Sequence, residues 1–75
     1  MDALHKRLAQ NIRARARALG IPLTHLADRA GVSRANLWTV LNGGNSPTLK
    51  WMAKVADALD CDAAELVAKT PRASK

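Results

Sequence analysis

The sequence predicts an all-α fold: five short helices packed as one compact domain. Three observations carry that expectation. Apolar residues recur at spacings of three and four, and no stretch alternates as a strand would. Glycine, proline and small polar residues fall at the breaks between those stripes. The apolar share is 48%, yet Phe and Tyr are absent. The core must then come from Leu, Val, Ile, Ala and Met, which suit packed helices better than sheets.

Leu4, Leu8, Ile12, Ala16 and Leu19 form the stripe of a first helix over about residues 2–19, with Gly20 placed to stop it. The second helix runs from Pro22 or Leu23 to Ala30 and ends at Gly31. For the third, Ser33 is the N-cap, Leu37, Val40 and Leu41 face inward, and Gly43-Gly44 is the stop. In the fourth, Ser46 is expected to cap and Pro47 to take the first helical position, where its missing N–H costs nothing. Its expected buried face is Leu49, Met52, Ala53, Ala56 and Leu59. The fifth is short: Asp62 and Glu65 have the spacing of a capping box, leaving Leu66 and Val67 to pack. These elements place one domain at residues 1–68. Residues 69–75 carry no apolar pattern and read as a basic disordered tail.

A chain of 75 residues has room for one small domain able to fold alone. Twelve Lys and Arg against six Asp and Glu give a net charge of +6. That excess points to a polyanionic partner, nucleic acid before an anionic membrane. The charge is uneven. Lys6, Arg7, Arg13, Arg15 and Arg17 crowd the first helix, whereas Asp57, Asp60, Asp62 and Glu65 crowd the last part of the domain. With Cys61 alone, no internal disulfide and no Cys-rich metal site can form, which fits a reducing cytoplasm. No run approaches the ~18–20 apolar residues that span a bilayer. A remote alternative treats the amphipathic, Arg-rich first 20 residues as a membrane-surface or targeting peptide, but their apolar stripe is needed for the core. His5 and His25 lie on different helices without a ligand or catalytic constellation and read as surface residues. No enzyme, cofactor or metal is expected.

The segment "LADRAGVSRANL", residues 26–37, is the most informative. A small residue at Ala27 lets the next helix cross closely. Gly31 permits the positive φ of a tight turn between helices meeting steeply, and Val32 and Leu37 point inward beyond it. On the third helix Ala35, Trp38, Thr39 and Asn42 cluster away from the inward face, with Arg34 at the cluster's edge.

Residues 8–66 resemble the phage repressor and Cro-like (XRE-type) helix-turn-helix family. The matching pieces are "LA" at 26–27, "AGVS" at 30–33, "NGG" at 42–44, Pro47, "VADAL" at 55–59 and "EL" at 65–66. The resemblance implies a cytoplasmic, sequence-specific transcriptional regulator, by default a repressor, from a bacterium or its phage. Its third helix, about residues 33–42, would enter the major groove of double-stranded DNA. Relatives bind as homodimers on pseudo-palindromic operators. The same fold also serves antitoxins and restriction-modification controllers, with a toxin or other protein as a possible partner. Carried onto this sequence, the base-reading positions are Arg34, Ala35, Trp38 and Thr39. The phosphate-contacting positions are Leu23, Thr24, Ser33, Asn42, Gly44 and Asn45. The chemistry agrees: Arg34 suits guanine O6 and N7, the Ala35 and Thr39 methyls suit thymine, and Asn42 suits phosphate.

The chain departs from the family in three places. Pro22 and Leu23 stand where a Ser or Thr cap and a Gln usually open the second helix. Ala16 and Leu41 replace a common Arg–Glu pair, an exchange that can be neutral or stabilising. No lysine follows Asn42 in the loop, so backbone attraction relies more on basic residues among Arg13, Arg15 and Arg17, at least one of which reads as plain solvated face. Each tryptophan leaves two readings open. Trp38 either lies in the groove or folds sideways over the second or fourth helix. Trp51 either is covered by Leu66 or Val67 of the fifth helix, or joins Val55, Leu66 and Val67 in an apolar dimerisation patch. The second is preferred, because so small a domain has little with which to bury a tryptophan.

Overall fold

The structure, a computed structural model, describes residues 2–69. It contains α1 (Ala3–Leu19), α2 (Leu23–Ala30), α3 (Arg34–Leu41), α4 (Leu49–Ala58) and α5 (Ala63–Leu66). There is no strand among the described residues. Residues 70–75, most of the expected tail, lie outside them.

Local chemistry sets most helix ends. Asp2 caps α1 by accepting from the His5 N–H at 2.8 Å. Gly20 and Gly31 end α1 and α2 in the left-handed region, at φ of 70° and 74°. Ser33 Oγ accepts from the Asn36 N–H at 2.9 Å and opens α3. At α4 the expectation fails. The cap is Thr48, whose hydroxyl accepts from the Trp51 N–H at 3.0 Å. Ser46 and Pro47 therefore belong to the loop, and the half-buried Pro47 lies just outside the cap. In α5, Glu65 Oε2 accepts from the Asp62 N–H at 3.1 Å, as half of a capping box does.

Leu8, Ile12, Ala16, Leu26, Ala27, Leu37, Val40, Leu41, Val55, Leu59 and Leu66 are nearly sealed from solvent. Ala16 and Leu41 both belong to this apolar core. Leu4 and Leu19, expected in the α1 stripe, are exposed near its two ends. The α4 face is also rotated from expectation. Trp51, Val55, Ala56 and Leu59 point inward, Met52 is half-buried, Ala53 is exposed, and Leu49 is 83% exposed.

That rotation overturns the expected dimer patch. Trp51 is 8% exposed, Val55 and Leu66 are sealed, and only Val67 stays half-buried. The helix is apolar around most of its circumference, so pattern alone leaves its phase open. Burying the indole removes the most surface from water, and Leu66 of α5 joins the same core. The Trp51 indole N–H is closed off without a hydrogen-bond partner among the described residues.

A polar row on α1 completes the packing. Arg7 Nη1 donates to the Val67 carbonyl at 3.2 Å. Asn11 Nδ2 donates to the Leu66 and Ala68 carbonyls at 2.9 and 3.0 Å. Arg15 donates to the Leu59 and Asp60 carbonyls at 3.1 and 2.9 Å. These carbonyls lie at or just beyond the ends of α4 and α5, where backbone acceptors lose their helical partners and cations are favoured. His5, expected as a plain surface residue, is half-buried and donates from Nε2 to the Val40 carbonyl near the end of α3. No helix among the described residues is long and apolar enough to cross a membrane. No group of three His, Cys, Asp or Glu among them could hold a metal ion.

Candidate nucleic-acid interface

The α2–α3 connection is built as the sequence suggested. The Val32 N–H donates to the Ala27 carbonyl at 3.0 Å, and the Gly31 N–H to the Asp28 carbonyl at 3.3 Å. These bonds wrap the turn over a buried Ala27. With Leu37, Val40 and Leu41 locked inward, α3 has one possible outward face. Arg34, Ala35, Trp38 and Asn42 are exposed on it and Thr39 is half-buried. All four expected base-reading residues therefore share one face.

Their surroundings add detail that the sequence did not supply. Arg34 Nη2 contacts Asp28 Oδ2 at 2.9 Å across the turn, both side chains open to solvent. The hydrogen bond from Arg34 holds the Asp28 carboxyl below its ordinary value, and the same bond raises the Arg34 guanidinium. Trp38 is 42% exposed, with the Arg13 guanidinium 5.8 Å from its ring centroid. The ring is thus partly covered rather than wholly free. It leans on a cation from α1. Thr39 donates its hydroxyl to the Ala35 carbonyl at 2.8 Å. Its methyl sits where a Cβ on Gly44 would come within 2.8 Å, so glycine is required there by close approach.

The expected phosphate-contacting residues lie at the start of α2, at the two caps of α3 and in the loop beyond it. Leu23 is half-buried and Thr24 exposed at the start of α2, where Pro22 supplies no side-chain cap. The leading amides of α2 are left for an anion or water. Arg13 and Arg17 border the same hollow with Ile21, Pro22 and Leu23. Asn42, Gly44 and Asn45 are exposed beyond α3, with Asn45 Nδ2 3.4 Å from Asn36 Oδ1. Ser33 is exposed, but its oxygen already caps α3. Arg15 leaves the set, because its guanidinium is bonded to the end of α4. Sequence reasoning missed Asp28 and the Arg13–Trp38 stack. The Asp–Arg spacing across a glycine turn was the only available signal for the first.

A helix pair closed by this turn, with a polar and aromatic outer face, defines a helix-turn-helix domain. The family described as "Helix-turn-helix domain" matches residues 7–68, and the chain belongs to it. Solved structures agree, with the fold of DNA-binding transcriptional regulators. The restriction-modification controller protein C.AhdI from Aeromonas hydrophila superposes with a TM-score of 0.80 at 29% identity, over 87% of this chain and 98% of that one. An HTH_3 family transcriptional regulator from Vibrio cholerae gives 0.80 at 26% identity, over 92% of this chain but 39% of its own. The clp gene regulator ClgR from Corynebacterium glutamicum gives 0.78 at 25% identity, over 87% of this chain and 69% of that one. No curated protein sequence matches the chain significantly.

Proposed function

We propose that the protein is a sequence-specific DNA-binding transcriptional regulator that inserts α3 into the major groove and works as a two-fold dimer in the bacterial cytoplasm. The observation that carries this reading is the single outward face of α3, where Arg34, Ala35 and Trp38 stand together. A net charge of +6 supplies attraction to phosphate. Occluding a promoter is the default action of such a domain. Among narrower roles, the near full-length match to a restriction-modification controller favours that of a controller protein.

The dimer surface must differ from the buried Trp51 patch. Leu4 and Leu49 are the large exposed apolar residues on a groove of about 370 Å³. Pro47, Met52 and the half-buried Val67 complete it. A second copy is its proposed occupant, because Val67 continues there the one part of the expected patch that remains open. Two copies would also present two α3 faces to paired half-sites.

Selection of bound duplexes from a random library tests the function. The expected result is one motif with two-fold symmetry. Bound duplexes with no sequence preference would refute it.

A further inference from the structure

Asp28 and Arg34 meet across the turn, six positions apart in sequence, with a contact of 2.9 Å between side chains 60% and 58% exposed. Each stands at the wrong helix end for stability. Asp28 is in the last turn of α2, where a carboxylate faces the negative pole. Arg34 is the first residue of α3, where a guanidinium faces the positive pole. An exposed ion pair contributes little to folding, so stability does not account for the arrangement. What the pair does accomplish is orientation. Arg34 opens the outward helix face, and an unrestrained arginine there would reach phosphates as readily as bases. Asp28 engages Nη2 at one oxygen, which uses one of its two N–H groups and leaves the other to form a fork with Nη1 or Nε. The fork can still meet the two acceptors of a guanine while it is held.

We propose that Asp28 is a specificity-determining positioning residue: it aims the Arg34 guanidinium at a base edge, and its negative charge lowers affinity for DNA that offers no guanine there. This inference rests on the reading of α3 as the base-reading helix. It assigns two effects to one carboxylate. Holding Arg34 raises the preference for one base pair per half-site. Repelling the phosphate backbone weakens binding to every sequence.

The test is selection from a random duplex library with wild-type protein, Asp28→Asn, Asp28→Glu, Arg34→Ala and the Asp28→Asn/Arg34→Ala double variant. Affinity for random duplex and thermal melting are measured alongside. Asp28→Asn should flatten the preference at the same base pair that Arg34→Ala flattens, by roughly tenfold, within the range of one bidentate contact. The double variant should lose no more than Arg34→Ala does. Asp28→Asn should bind random duplex about threefold more tightly, as removal of a charge opposed to phosphate requires. It should melt no lower than wild type, and Asp28→Glu should restore part of the preference. An unchanged preference in Asp28→Asn would overturn the proposal. So would flattening at a different base pair, equal loss at every position, or a lowered melting temperature. A wild-type protein without any preference would instead remove the base-reading function itself, and the positioning role with it.

Discussion

Replacing Trp38 by alanine separates the folding role of this residue from its binding role. Trp38 is 42% exposed, so of roughly 200 Å² in a tryptophan side chain, about 120 Å² is covered. At ~25 cal/mol per Å² that area is worth about 3 kcal/mol, and a compact unfolded chain reduces it to about 2 kcal/mol. The stack with Arg13 adds about 0.5 kcal/mol at an exposed site. Trp38→Ala should therefore destabilise by about 2 kcal/mol, lowering Tm by about 10 °C for a domain this small. The expected cost lies below the ~3–5 kcal/mol of a truncated core aromatic. Far-UV circular dichroism follows melting without relying on the deleted indole, and titration of a selected duplex well below Tm measures binding by folded protein. Affinity should fall by about the value of one base contact, ~1–3 kcal/mol. Trp38→Phe should recover most of the stability, because a ring remains beneath Arg13. An unchanged Tm would show that the ring is not packed. A loss above ~4 kcal/mol would place it in the core. Normal binding by folded Trp38→Ala would remove it from the interface.

Asn42→Ala should weaken binding to selected and random duplexes alike, and leave the log–log salt slope nearly unchanged, because an uncharged amide contacts a phosphate without neutralising it. Loss of discrimination alone would contradict that role. Leu49→Asp should shift sedimentation toward monomer and lower operator affinity while leaving melting nearly unchanged, since the residue is 83% exposed. An unshifted dimer would move the interface elsewhere. Arg15→Ala removes two donors from the end of α4 and should cost about 2 kcal/mol of stability, measured by urea unfolding. The base preference of the folded variant should stay as in wild type.

The legible parts of this fold were those written in local chemistry. Gly20, Gly31 and Ser33 mark helix ends because positive φ and a capping hydroxyl are properties of single residues. The outward face of α3 followed from the spacing of Leu37, Val40 and Leu41. The phase of α4 did not follow. Leu49 and Met52 on one side and Trp51 and Val55 on the other make comparable stripes, and only packing against the rest of the chain selects between them. The contacts of Arg7, Asn11 and Arg15 are not legible locally, because their acceptors lie 44 to 60 positions away. Their four-residue spacing beside the apolar stripe was a usable signal of a polar seam. In the candidate site the placement of Arg34, Ala35, Trp38 and Thr39 on one side of α3 was legible in the spacing, whereas the Asp28 and Arg13 contacts were not. Both depend on rotamers fixed across two helices, which a single-helix pattern does not encode.

The chain has two tryptophans, and they occupy opposite environments: Trp38 on the outer face of α3 and Trp51 in the core. Their indole N–H signals in a nitrogen–proton correlation spectrum therefore give the most direct test of α3 as the DNA-reading element. Signals are assigned by Trp38→Phe, and a selected duplex is added in steps at fixed salt. The Trp38 indole and the α3 amides should shift strongly with the duplex and weakly with random DNA, while the Trp51 indole stays in place. A spectrum in which the duplex moves Trp51 and leaves Trp38 and α3 unmoved would contradict the assignment of this face.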